Sequence, residues 1–241
     1  CSRLVMTATL QSQAKVVFLD DLTIGGRGIR ARVLEDGFVG IGVRRHRGWP
    51  WPDDSWGLTP MFGEGGWCRA CGTPLSEQAG SLRLQRKGVT VRGAWVPNWR
   101  FDAICVDAAL ADEVRARFSV SLLPVRWPRG GDAGAFQLVV PSGDVAWFAG
   151  EELAAAARAR HGTDGARCGR CGTWRWMPLR GGLLPPLVVR EHDLSGDAVA
   201  SPEWFGDGCK SFRQMLVRRS LGELLAHASP RDFALRDPAW R

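Results

Sequence analysis

Apolar residues alternate at Ile29, Ala31 and Val33 and again at Val39, Ile41 and Val43, on either side of Asp36-Gly37. A period of two interrupted by Asp-Gly predicts a β-hairpin. With the apolar run "AKVVFLDD" upstream, it marks residues 1–48 as a β-rich N-terminal segment. Residues 49–66, "WPWPDDSWGLTPMFGEGG", are dense in Pro, Gly and Trp, and predict an irregular connector. Beyond it, Leu82 and Leu84 before Lys87-Gly88, with Val89 and Val91 after, again read as strands. "FDAICV" (Phe101–Val106) predicts a buried strand, and "DAALADEVRARF" a helix with Asp107 as its N-cap. "SVSLLPVRW" and "AFQLVVPSGDVAWF" follow as strands, and the Ala-rich stretch Gly150–Gly162 as a helix. Pro185 and Pro186 hold their surroundings extended. "SFRQMLVRRSLGELLAHASPRDFAL" runs from an apolar strand into a helix that ends near Ser229-Pro230. Short strands mixed with a few helices predict an α+β fold with mixed or antiparallel sheets.

One pattern recurs. Phe101, Ile104, Val106, Leu110 and Val114 match Phe212, Met215, Val217, Leu221 and Leu225 at a constant offset, and each set follows a Cys-x-x-Cys-Gly motif. A domain spanning 67–241 with a pseudo-repeat, 67–166 and 167–241, accounts for this. So does the bare fact that any strand entering an amphipathic helix has such spacing.

The two motifs, "WCRACGTPL" and "RCGRCGTWRW", carry the chemistry. Zinc takes four ligands in a tetrahedron, with thiolates as preferred structural donors. Each Cys-x-x-Cys supplies two, and the glycine that follows (Gly72, Gly172) lets the backbone curl beneath the sulfurs. Together Cys68, Cys71, Cys168 and Cys171 make one closed structural Zn2+ site, two knuckles joined as a split zinc ribbon. Ribbon pairs are usually separated by roughly 15–20 residues, whereas 96 intervene between Cys71 and Cys168. Loop entropy grows only logarithmically, so the longer insert costs just ~1–2 kcal/mol more. A thioredoxin-like redox pair and simply packed thiols are the alternatives. Cys105, in an apolar strand, reads as a core residue, and Cys209 as a loop thiol; neither is assigned as a ligand.

Composition narrows the classes. A chain of 241 residues with 45% hydrophobic and 24% charged residues buries a real core without needing metal merely to fold. No apolar run approaches the roughly 20 residues of a membrane helix, and Cys1 is not followed by the polar tether of a lipoprotein. Cysteines in tight pairs fit a reducing cytoplasm better than a secreted disulfide framework. A net charge of +7 permits a nucleic-acid or acidic protein partner. The basic residues are nevertheless dispersed, and only Lys15, Lys87 and Lys210 are lysines. Twelve tryptophans, among them Trp49, Trp51, Trp56, Trp174 and Trp176, suit base stacking, a protein interface or core packing equally. "GDGCKS" breaks the phosphate-loop order, "GFVGIG" has the wrong glycine spacing, and His46, His161, His192 and His227 sit in no nucleophile–base constellation. No catalytic or cofactor-binding residue is assigned, and the expectation is a non-enzyme.

The double motif, the insert between its copies and the C-terminal strand–helix segment give the chain its likeness. Over roughly Trp67–Phe233 it resembles the double-CXXCG family of bacterial immunity proteins, whose founding members protect swarming cells against toxins from their kin. The resemblance implies a cytoplasmic protein that binds and neutralises a cognate toxin, and it carries over only Cys68, Cys71, Cys168 and Cys171. The chain departs from the family in its longer N-terminal lead. The alternative is a zinc-ribbon-like nucleic-acid binder that uses arginine and tryptophan surfaces.

Overall fold

The computed structural model describes residues 36–241, which form one compact unit. Its elements in chain order are β1 (Phe38–Val43), α1 (Leu58–Phe62), β2 (Ala94–Trp95), β3 (Ile104–Asp107), α2 (Ala108–Arg117), β4 (Ser121–Arg126), β5 (Asp132–Val139), α3 (Gly150–His161), β6 (Gly165–Arg167), β7 (Trp174–Trp176), β8 (Ala198–Ala200), β9 (Trp204–Phe205), β10 (Met215–Arg218), α4 (Arg219–Ala228) and β11 (Phe233–Arg236). The strands make three sheets, ordered β11-β1-β10-β8, β2-β3-β5-β4 and β6-β7-β9. The first two are antiparallel throughout, and the third is mixed because β7 and β9 run parallel. The fold class is α+β, as the sequence predicts.

Alternation decides which side of each strand is covered. Val39, Ile41 and Val43 of β1 face a core shared with Val217, with Ile104 and Val106 of β3, and with Leu110, Val114, Leu221 and Leu225 from α2 and α4. The central core thus lies between the two four-stranded sheets, with both strand–helix units contributing to it. Every position of the sequence echo from Ile104 and Met215 onward lies in this core or packs against it. The leading pair, Phe101 and Phe212, meet edge to face with centroids 5.7 Å apart. A second cluster, including Phe38, Trp147, Leu153, Phe205 and Leu216, covers the other face of the β1 sheet. A third, including Met61, Leu82, Leu84, Trp95 and Cys105, covers the outer face of the β3 sheet.

The helix ends follow the physical rules. Asp107 caps α2, one carboxylate oxygen accepting from the Leu110 amide at 2.9 Å and the other from Gly93 at 2.6 Å. α4 has no capping side chain of its own. Asp36 fills that role from a distance, accepting from the Ser220 amide at 2.9 Å and from its hydroxyl at 2.5 Å.

Through this contact the chain packs as one unit from Asp36 onward. The first strand of the 29–43 hairpin, and the rest of 1–35, lie outside the described residues; the second strand is β1. Its described partners are β10 and β11, and Arg45 and Arg47 both pair with the buried Asp232 at 2.7 and 2.6 Å. Residues 36–48 therefore belong with 67–241. The connector expected at 49–66 is also integral, because α1 buries Leu58 and Met61. The strands expected at 82–84 and 89–91 are not formed as extended pairs: Leu84 makes an isolated bridge to Pro50 and Arg83 one to Arg126. Burial of Leu82 and Leu84 in the third cluster outweighs the local turn signal.

Candidate metal centre

Both motifs fold into the same knuckle. In the first, the Cys68 amide donates to the Thr73 carbonyl at 2.8 Å and the Gly72 amide to the Cys68 carbonyl at 2.7 Å. In the second, Cys168 donates to Thr173 and Gly172 to Cys168, each at 2.9 Å. The chain reverses through Gly72 at φ +73° and Gly172 at φ +76°, the left-handed region that glycine enters without strain. The trailing threonine has a use in each: its hydroxyl lies 3.2 Å from the Cys71 sulfur and 3.3 Å from the Cys171 sulfur. The first knuckle stands on a Trp67–Pro74 bridge, the second at the tip of the β6–β7 hairpin.

The structure brings the two together. Cys68 Sγ lies 3.8 Å from Cys168 Sγ, Cys71 Sγ lies 3.6 Å from Cys171 Sγ, and all four sulfurs are within 4.8 Å of one another. A tetrahedron with Zn–S bonds of about 2.3 Å has sulfur–sulfur edges of about 3.8 Å, so the donor set suits a four-thiolate metal ion. The distances are far beyond the roughly 2.05 Å of a disulfide.

Electrostatics point the same way. Burial pushes the Cys71 thiol up to about 12, against the lowering effect of Thr73. Backbone amides of Cys171 and Arg170 aim at Cys168 and bring it down to about 6. Burial also raises Cys171, but its hydrogen bonds to Thr73's counterpart, Thr173, and its neighbour Cys71 leave it lowered overall. Four thiols this close cannot all ionise alone; a divalent cation bound among them would compensate the charge and let the buried one release its proton.

Sequence reasoning missed the residues that lock the knuckles together. Arg175, on β7, sends its Nη1 across to the Cys71 carbonyl at 3.2 Å and to the Gly208 carbonyl at 2.8 Å. Ser211 donates to the same Cys71 carbonyl at 2.8 Å and contacts the Thr73 hydroxyl at 2.9 Å. The repeated Cys-Gly-Thr was the available signal for the threonines. Nothing local distinguishes Arg175 among the 32 basic residues. Cys209 sits on this clamping loop, its thiol 3.8 Å from the Ala70 carbonyl, and is not part of the four-sulfur cluster. Cys105 is fully buried in the third core cluster.

No helix among the described residues is long and apolar enough to cross a membrane. Neither a scan against protein-family models nor a search of curated proteins finds a match to this chain.

Proposed function

We propose that this protein is a non-enzymatic bacterial immunity protein that binds and neutralises a cognate toxin, with zinc as an architectural ion. The observation that supports this reading is the closure of both Cys-x-x-Cys-Gly motifs on one four-sulfur cluster, the element on which the likeness to double-CXXCG proteins rests. Four thiolates fill the coordination sphere of zinc, so the ion has no open position for a substrate or an activated water. Function then falls to the surfaces that the clasp holds in place. Trp49 and Trp51, 46% and 38% exposed, are of the residue type that anchors protein interfaces. The charge of +7 favours a partner with an acidic face and speeds the encounter. Blocking the toxin's active surface is sufficient for protection and needs no catalytic group.

The test is co-expression in a sensitive host with toxin genes encoded beside this one. Cells survive with the intact protein and die when it is omitted, and a complex is recovered by affinity purification. Absence of protection against every adjacent toxin refutes the reading. Binding to RNA or DNA that falls steeply with salt, without protection, replaces it with the nucleic-acid alternative.

A further inference from the structure

The two faces of β1 are unlike. Opposite the valine and isoleucine side lie Phe38, Gly40 and Gly42. Phe38 is buried in the second cluster, whereas Gly40 leaves the sheet bare and Gly42 leaves room that the Arg236 side chain occupies. Over them opens a cavity of about 480 Å3, within the range of small-ligand sites. Register places Leu216 and Arg236 on either side of Gly40, on the same face. Phe101, Trp147 and Phe212 add aromatic wall.

Three arginines line this apolar hollow: Arg180, Arg213 and Arg236. None of them makes a hydrogen bond or a salt bridge among the described residues, and the Nε of Arg213 is buried without a partner; the acid that acts on Arg213, Asp102, is paired with Arg100 at 3.2 Å. The only acid in the lining, Asp237, is already paired with Arg219. Two of the guanidiniums are held by flat contacts on aromatic rings instead. Arg180 lies 4.5 Å above the Phe101 ring and 5.5 Å from that of Phe212, and Arg213 lies 5.0 Å above Trp204. The Arg236 side chain runs across Gly42, with its Nε 2.9 Å from where a β-carbon would stand. Stacking fixes the plane of a guanidinium and leaves its N–H edge free for a planar or tetrahedral anion.

We propose that this cavity binds a small organic anion, a carboxylate or a phosphate monoester carried on an apolar, ring-sized body. The glycine floor makes room for the body and the arginines receive the head. The site is separate from the metal centre and independent of the toxin-binding reading.

Three probes with one body and different heads test it: 2-naphthoate, 2-naphthyl phosphate and the neutral 2-naphthol, each titrated calorimetrically into the zinc-loaded full-length protein. At least one anion is expected to bind, with the alcohol tenfold or more weaker, and the tighter anion identifies the preferred head. Arg180→Gln is expected to weaken the anions about tenfold, the scale of a charge-assisted hydrogen bond, and to leave the alcohol unchanged. Gly40→Val suits a strand, since its first added carbon meets only the Arg236 carbonyl at 3.6 Å, and it is expected to abolish binding by filling the floor. Variants are compared only where zinc content and melting temperature match the parent; Arg236→Gln serves if Gly40→Val does not fold. Alcohol binding as tight as the anions, binding untouched by these substitutions, or no heat from any probe at millimolar concentration overturns the proposal.

Discussion

Replacing Cys171 with serine removes one donor from the clasp and disturbs little else. Its sulfur is only partly buried, unlike that of Cys71, and a serine hydroxyl can keep the contact with Thr173 now made at 3.3 Å. Lost packing is therefore small, and a large effect has to pass through the metal. With free zinc a thousandfold above the dissociation constant, binding stabilises the folded state by about 4 kcal/mol. For a unit of this size each kcal/mol moves the melting temperature by ~2–4 °C. Cys171→Ser is thus expected to lose its zinc on dialysis that the parent survives, and to melt ~8–16 °C lower in zinc-replete buffer. It should match the chelator-treated parent. Adding Cys68→Ser on the opposite knuckle should bring no further metal-dependent loss, because effects on one shared ion do not add. Plasma mass spectrometry and thermal melts read both. One zinc per chain retained by Cys171→Ser at an unchanged melting temperature would refute a shared site.

Other consequences can be measured on the same protein. Arg175→Ala removes the bridge from β7 to the first knuckle and should cost about 2 kcal/mol, the scale of hydrogen bonds from a charged group, seen as a lower denaturation midpoint. Gly72→Ala and Gly172→Ala impose a similar backbone penalty, ~1–2 kcal/mol, but a β-carbon at Gly72 would collide with the Cys209 carbonyl oxygen while nothing crowds Gly172. The first variant should therefore be clearly the less stable by chemical denaturation. Asp107→Ala deprives two amides of an acceptor and should cost ~1–2 kcal/mol, read by the same assay. In chelator-treated protein at pH 7, Cys168, brought down to about 6, is mostly thiolate, whereas Cys71, pushed up to about 12, stays protonated. Iodoacetamide should accordingly modify Cys168 well before Cys71, with Cys168 protection rising as pH falls below 6 and zinc abolishing the reaction; peptide mass spectrometry gives the order.

The clasp was legible because its information is local and doubled: four cysteines in two short motifs, each trailed by Gly-Thr. The Asp107 cap and helix α3 were legible for the same reason, since caps and alanine runs act within a turn or two. What escaped reading depends on distant partners. α1 is five residues long with a proline inside, and it holds because Leu58 and Met61 find a core. β8, β9 and β11 are two to four residues long, too short for alternation to register. Asp36 reads as half of a turn signal, yet it caps a helix whose first residues lie more than 180 positions later. Arg175 matters for what stands across the interface from it, and the arginine cavity exists because Gly40 and Gly42 come to lie opposite residues from the other end of the chain.

In the clasp each sulfur touches its own counterpart: Cys68 meets Cys168 at 3.8 Å, and Cys71 meets Cys171 at 3.6 Å. Like against like is the contact rule of a two-fold dimer interface. Here a single polypeptide supplies both sides, and that changes the mass action. A site shared between separate subunits sheds its metal as the subunits dissociate on dilution, because each carries only two thiolates. Covalent continuity keeps the second knuckle at a constant effective concentration, so occupancy by a metal ion would depend on the metal supply and not on how many copies of the protein a cell contains.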